Sequence, residues 1–262
     1  MQLKQRGFAQ LTEIMALLRH PEKGCPWDLK QSYQSITAHT IEEAYEVVDA
    51  IEAADFAELK EELGDLLLQV VFYAQMAREE NRFTIDDVIN GICEKLIRRH
   101  PHIFADVEAK DSETVLKNWE AIKQAEKKEK AKDETLLSGI PKHLPSLLAA
   151  HRIGEKTSRV GFDWKNTEGV FAKLEEEVLE LEEAQAEKNA EAIEHEFGDV
   201  LFTLAQAGRH LGLNAETALR KANVRCMQGF AWMEKNADAE LSTLSERELE
   251  DLWQQAKLHS GK

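Results

Sequence analysis

The sequence predicts an all-α protein built as two tandem helical domains, and three observations lead there. Leu, Ala, Glu and Lys dominate while only 5 of the 262 residues are Pro, and no stretch alternates apolar and polar residues as a half-buried strand would. Apolar residues recur instead at the spacing of an amphipathic helix. Five acidic positions also occur twice in one register. Glu42, Glu43, Glu46, Glu62 and Asp65 are matched by Glu176, Glu177, Glu180, Glu196 and Asp199 at a single offset (176 − 42 = 134, 199 − 65 = 134). A duplicated unit of roughly 120 residues accounts for that register. The expected domains are 1–122 and 141–262, joined by a charged linker over 123–140.

Taken in order, Ile41, Ala44, Tyr45, Val48 and Ile51 form an apolar stripe with the acids on the opposite helix face. A turn near Ala54 and Asp55 leads into a second helix running to about Glu80, whose buried side is expected to hold Leu63, Leu66, Leu67, Val70, Val71 and Ala74. Thr84 with Asp87 is a capping-box start for a third helix through about Arg99, and a further helix carries Trp119. The second copy repeats the order: Thr167 caps a helix through about Glu187, another runs from about Asn189 to Leu211, and Asn214 begins a third. The Lys/Glu-rich run 123–133 reads as an exposed helix or a solvated linker. His100-Pro101-His102 reads as a capped helix end, because Pro breaks a helix and only the first copy has it. Short amphipathic helices in units of this size leave apolar faces uncovered, so four-helix-bundle-like domains joined in a homodimer are expected.

The formal charge of −16 and the pI near 5.1 argue against a duplex nucleic acid or an anionic membrane as partner, since such surfaces are met by clustered Lys and Arg. Cys25, Cys93 and Cys226 lie far apart with no C-x-x-C, so neither a zinc knuckle nor a disulfide framework is indicated. No sustained apolar run reads as a signal peptide or membrane span, and a cytoplasmic protein with reduced thiols is expected.

Residues three or four apart share a helix face, so Glu43 with Glu46 and Glu62 with Asp65 each set two carboxylates side by side. If the two helices are antiparallel neighbours, four carboxylates converge. At an effective dielectric near 20, two carboxylates about 4 Å apart repel by about 4 kcal/mol, a penalty that a divalent cation removes. Oxygen-only ligation with room for water and phosphate selects Mg²⁺, with Mn²⁺ as a substitute. Glu43 has a local alternative, because Thr40 could form a capping box with it; the second copy has Leu174 at that position and keeps Glu177. Asp65 and Asp199 each follow a helix-interior glycine, Gly64 and Gly198, which would let another helix approach closely.

E-E-x-x-E followed by E-x-x-D, preceded in the first half by Gly24-Cys25-Pro26-Trp27-Asp28, resembles the MazG nucleoside triphosphate pyrophosphohydrolases, members of the all-α NTP pyrophosphatases that include dimeric dUTPases. The resemblance covers nearly the whole chain. It implies Mg²⁺-dependent hydrolysis of the α–β phosphoanhydride of a nucleoside triphosphate, ATP among them, to the monophosphate and pyrophosphate. Glu177, Glu180, Glu196 and Asp199 then resemble the family's magnesium ligands, with Glu43, Glu46, Glu62 and Asp65 as first-domain counterparts. Glu176 and Glu42 complete the motif and are candidates to orient or deprotonate the attacking water.

Lys95 and Arg99 in the first copy match Lys221 and Arg225 in the second, each an i, i+4 pair suited to clamping a triphosphate, and Trp119 with Lys123 matches Trp253 with Lys257. By the same resemblance Lys221, Asn223, Arg225 and Trp253 look like nucleotide contacts, with Trp stacking on a base without reading it. Ile97 stands in the first copy where Asn223 would be expected, so the C-terminal site is the expected catalyst. Trp27-Asp28 and Phe162-Asp163-Trp164 precede the acidic helices and either border a base pocket or staple the helix start, the latter being favoured.

Rival classes fit less well. Gly154-Glu155-Lys156-Thr157 lacks the Walker A order. The segment from Glu58 to Gly64 resembles a Nudix core, but Glu43 and Ala57 stand where that box needs Gly and Arg. None of the nine histidines has a Glu three residues before it, as a di-iron bundle requires. The remaining alternative, a non-catalytic acidic interaction protein, leaves the register of the acids between copies unexplained.

Overall fold

The computed structural model describes residues 6–105, 111, 114–115, 118–119, 122, 126 and 135–260. Regular structure among them is entirely helical. The chain divides into two compact units, Met1–Lys130 and Ala131–Lys262.

In the first unit α1 (Phe8–Leu18), a short α2 (Pro26–Lys30), α3 (Thr37–Glu52), α4 (Phe56–Glu79), α5 (Ile85–Arg99) and a short α6 (Pro101–Phe104) follow one another. α4 is the central element: α1, α3 and α5 all pack on it. Met15, Ile36, Val71, Phe72 and Met76 form the core. α3 and α4 are antiparallel, since Thr40 near the start of α3 meets Tyr73 near the end of α4, Oγ1 to OH at 3.0 Å. In the second unit α7 (Ser146–Ser158), α8 (Thr167–Glu187), α9 (Ala190–His210), α10 (Ala215–Asn236), a 3₁₀ turn (Leu241–Thr243) and α11 (Glu246–Ser260) repeat the plan. α8 packs on α9, α7 on α9 and α10, and α11 on α10 around Met233, Leu252 and Ala256.

The duplication shows most sharply at the hairpin between the acidic helices. Ala54 and Lys188, 134 residues apart, both adopt left-handed backbone, with φ of 54° and 56°. Asp55 and Asn189 follow as N-caps, Asp55 accepting from the backbone N–H groups of Ala57 and Glu58 and Asn189 from that of Ala192. The Thr84–Asp87 capping box forms as expected, and Asn214 caps α10. Residue 167 does not cap α8; Asn166 does, through its side-chain oxygen on the Gly169 N–H, and Thr167 becomes the first helical residue. Asn ranks above Thr at such sites, in keeping with the cap falling on Asn166.

Two expectations about buried faces need correction. Ile41, Tyr45 and Ile51 are exposed, as are Leu63, Leu67 and Val70, which are 50 %, 40 % and 40 % accessible. The neighbouring helices cover the side of the α3/α4 pair that carries Ala50, Val71, Phe72 and Ala74. Likewise Gly64 and Gly198 receive no neighbour: a Cβ added at either would meet nothing within 4 Å. His100 ends α5 and Pro101 opens α6, as expected of a capped helix end. Trp119 has helical backbone, whereas Lys123 and, apart from Glu126, the run 123–133 lie outside the described residues.

Candidate functional site

In the second unit the α8/α9 hairpin gathers the predicted acids. Carboxylate oxygens of Glu177, Glu180 and Glu196 lie within 4.8 Å of one another, and Glu196 also groups with Asp199 and His195 at the same limit. Glu177 is buried, only 6 % accessible. Its hydrogen bond to Glu180, followed by loss of solvent, raises the Glu180 carboxyl above the usual range. A carboxyl raised by a neighbouring carboxylate marks a local concentration of negative charge.

Part of that charge is met by Lys173, which the sequence pattern did not single out. Its Nζ donates to Glu176 at 2.6 Å and lies 2.9 Å from Glu177, and these carboxylates raise the pKa of the ammonium. The only local signal is its place three and four residues before the two acids, the ordinary spacing of helix ion pairs. Glu176 is thereby turned to the same side as the cluster.

The first unit builds a similar group. Carboxylate oxygens of Glu43, Glu62 and Asp65 lie within 4.8 Å of one another. Burial, then repulsion from Asp65 and Glu46 and a hydrogen bond with Glu46, raises Glu43. Loss of solvent and repulsion from Glu46 push Glu62 up to about 7. Thr40 lies inside α3, donating to the Ile36 carbonyl, so it does not cap Glu43. At the position of Lys173 stands His39, with Nδ1 3.3 Å from Glu42 and its ring 6.4 Å from that of Trp27.

A cavity adjoins each cluster. In the second unit it holds about 360 Å³ and is lined by Phe162, Asp163, Trp164, Lys173, Phe202 and Gln206 among others. In the first it holds about 220 Å³, with Trp27, Asp28, His39, Glu43, Leu68 and Phe72 in its wall. Trp27 and Asp28, which lie in α2 and not in the expected loop, and the loop Phe162-Asp163-Trp164 therefore border cavities. One wall of the larger cavity is held by a buried polar chain. Gln206 donates to the Ala150 carbonyl at 2.7 Å and accepts from Arg209 Nε at 2.9 Å. The Arg209 guanidinium forks onto Asp163 at 3.0 and 2.6 Å, and His210 Nε2 lies 2.9 Å from the same carboxylate. Hydrogen bonds from Arg209, then His210, hold the Asp163 carboxyl down at about 2 against the opposing effect of burial. Gly154 makes room for this chain, because a Cβ there would sit 1.8 Å from the Gln206 side-chain oxygen.

The expected nucleotide contacts sit elsewhere in the unit. Lys221, Asn223 and Arg225 are exposed on α10, and Lys221 and Arg225 have no ion pair among the described residues. Trp253 is half-buried against α10, where a Cβ on Gly229 would meet its ring at 2.5 Å, and Lys257 Nζ stands 5.7 Å from its centre. None of the four lines the cavity beside Lys173. Their first-unit counterparts are differently placed: Arg99 binds Glu126 at 2.6 Å and lies 5.5 Å from the Trp119 ring.

The halves of the chain match two family models. Residues 31–104 match the MazG nucleotide pyrophosphohydrolase domain and residues 149–225 match phosphoribosyl-ATP pyrophosphohydrolase. Both spans enclose an acidic hairpin. Over 253 residues the chain is 46 % identical to a nucleoside triphosphate pyrophosphohydrolase of Escherichia coli, covering 95 % of this chain and 96 % of the relative. It is 45 % identical over 260 residues to the nucleoside triphosphate pyrophosphohydrolase/pyrophosphatase MazG of Thermotoga maritima, covering 97 % and 98 %. A third relative, the uncharacterized protein YabN of Bacillus subtilis, is 43 % identical over 257 residues, covering 95 % of this chain and 51 % of its own length.

Proposed function

Because the chain belongs to the MazG nucleoside triphosphate pyrophosphohydrolases, we propose that its second unit cleaves the α–β phosphoanhydride of ribo- and deoxyribonucleoside triphosphates with Mg²⁺, releasing the monophosphate and pyrophosphate. The observation that carries this is the convergence of Glu177, Glu180 and Glu196 from α8 and α9, with Asp199 grouped to them through Glu196, beside a cavity of about 360 Å³ reached through Lys173. Clustered carboxylates with a raised Glu180 are the donor set of a hard divalent ion, so these residues fit Mg²⁺ and accept Mn²⁺. When bound, such an ion draws charge from phosphate oxygens and lowers the pKa of a water.

The chain's own residues supply the rest. Glu176, beside the cluster, orients the attacking water and takes its proton. Lys173 exchanges part of its contact with Glu176 and Glu177 for phosphate oxygens, placing a cation between cluster and cavity. Phe162 and Trp164 give the cavity an aromatic surface on which a base is accepted by stacking. Lys221, Asn223, Arg225 and Trp253 act on the outer end of the nucleotide when α10 and α11 close toward it. Glu43, Glu46, Glu62 and Asp65 hold metal in the first unit without being the main catalyst.

The exposed apolar residues of α8 and α9, among them Phe171, Leu179, Phe197 and Leu204, support a homodimer in which a second copy covers this face and approaches at Gly198. A cytoplasmic enzyme cleansing the nucleotide pool, with no duplex nucleic acid as partner, accords with the acidic composition. The test is pyrophosphate release from each triphosphate in the presence of Mg²⁺. Release that is abolished by Glu177→Gln and by chelation supports the proposal; release unaffected by Glu177→Gln refutes it.

A further inference from the structure

The two cavities differ in what their walls leave unpaired. In the second unit both ends of the Gln206 amide are bonded, and the Asp163 carboxylate is held by Arg209 and His210. In the first unit Asp28 and Gln69, 9 % and 8 % accessible, line one cavity of about 220 Å³. The Gln69 side-chain oxygen is buried with no hydrogen-bond partner. Arg19 donates to the Asp28 backbone carbonyl at 2.5 Å, while the Asp28 carboxylate has neither hydrogen bond nor ion pair among the described residues. Buried amide oxygens and carboxylates are ordinarily met by donors. Here two acceptors face one cavity, and the donor has to come from what enters it. The second copy keeps neither acceptor: Thr203 stands at the position of Gln69 (203 − 69 = 134), and Lys165 follows Trp164 where Asp28 follows Trp27.

Building on the nucleotide-hydrolase reading above, we propose that the first unit's cavity is a base-reading site, in which Asp28 and Gln69 select a nucleobase bearing an exocyclic amino group, such as cytosine, over uracil or thymine. The amino group carries two N–H donors, one for the Asp28 carboxylate and one for the Gln69 oxygen once the amide turns about its last torsion. Uracil and thymine present a carbonyl at that position, so three acceptors would meet without a proton among them. Trp27 and His39, with rings 6.4 Å apart, line the same cavity and give the base an aromatic surface that does not discriminate. Glu43 belongs both to the cavity wall and to the acidic cluster, so a nucleotide whose base enters here carries its phosphates toward that cluster. The chain thus pairs a cavity indifferent to the base with one that reads it.

The test titrates cytidine and uridine, which carry no phosphate, into the full-length protein with EDTA present. The readout is the indole N–H resonance of Trp27, identified by its loss in Trp27→Phe. Cytidine is expected to move that resonance with an affinity about tenfold or more above that of uridine. Gln69→Met and Asp28→Asn should each lower the cytidine affinity about fivefold or more and leave uridine within about twofold, and if either variant fails to fold the other decides. Equal affinities in the native chain, a preference that survives both substitutions, or no movement of Trp27 with either nucleoside would overturn the proposal. Because neither metal nor phosphate is present, the outcome is independent of the hydrolase reading, which stands or falls on pyrophosphate release in Glu177→Gln.

Discussion

Replacing Asp163 by Asn removes the charge around which one wall of the larger cavity is organised. The Asp163 carboxyl is held at about 2 from an ordinary value of 3.8, and its side chain is 20 % accessible, so little is lost to solvent screening. A shift of that size corresponds to about 2 kcal/mol of stabilisation at neutral pH. Arg209, 14 % accessible, is left with an uncompensated charge, which brings the expected cost to about 2 to 3 kcal/mol. For a unit of this size that lowers Tm by about 10 °C.

The pH dependence carries its own sign. Asp163 has a folded pKa below its unfolded one, so its contribution is whole above about 4 and falls away as pH drops through about 2. By pH 3 about 1 kcal/mol of it is already gone. The assay is urea unfolding of the native chain and Asp163→Asn at pH 7 and at pH 3, and the gap between them should narrow by about that amount. Because Asp163 pins the loop carrying Phe162 and Trp164, KM for a triphosphate should rise about threefold to tenfold with kcat held within about twofold. A gap below about 0.5 kcal/mol at pH 7, or one that stays constant down to pH 3, would refute the reasoning.

In the second acidic cluster, Glu180→Gln and Asp199→Asn should each lower turnover by about a hundredfold or more while leaving the ion-free protein folded and at least as resistant to heat, and the rise in Tm on adding Mg²⁺ should vanish. The corresponding changes Glu46→Gln and Asp65→Asn should keep pyrophosphate release within about twofold of native; a hundredfold loss would move the catalyst to the first unit. Glu62, pushed up to about 7, stabilises the ion-free first unit while protonated and loses that contribution as pH rises through about 7. The gain in Tm from Mg²⁺ should therefore grow between pH 6 and pH 8, and calorimetry in buffers of different ionisation enthalpy should show proton release that Glu62→Gln abolishes. Lys221→Ala with Arg225→Ala should raise KM about tenfold or more; an unchanged KM would remove α10 from the nucleotide site.

The acidic hairpin was legible in the sequence because its signal is doubly redundant: spacing within each helix and register between copies both point to the same residues. The start of α5 was legible for a similar reason, since Thr84 three residues before Asp87 has one simple local use, whereas the cap of α8 was placed one residue late, on Thr167 in place of Asn166. The choice of buried face was not legible. A helical stripe such as Ile41, Tyr45 and Ile51 reports that an apolar face exists, and only the placement of neighbouring helices says whether this chain covers it. Lys173 was hidden by the commonness of its spacing, although its two ion pairs make it part of the cluster. The link between Asp163 and Arg209 spans 46 residues and two helices, and no local pattern announces such a pair.

The difference between the two copies was sought in Ile97 and Asn223, but the structure adds stronger grounds in the same direction. Arg99 is already engaged by Glu126, whose carboxyl hydrogen bonds from Arg99 and Arg98 hold at about 2. Its counterpart Arg225 is exposed and has no ion pair among the described residues. A cation spent on an internal carboxylate must give up that bond before it can meet a phosphate, whereas an unpaired one gives up only water. At the cluster itself the first unit sets a titratable imidazole, His39, where the second sets the permanently charged Lys173. The first cavity is also smaller, about 220 against 360 Å³. Charge available for phosphate and room for a base thus both favour the second unit, while an acidic cluster is kept in each.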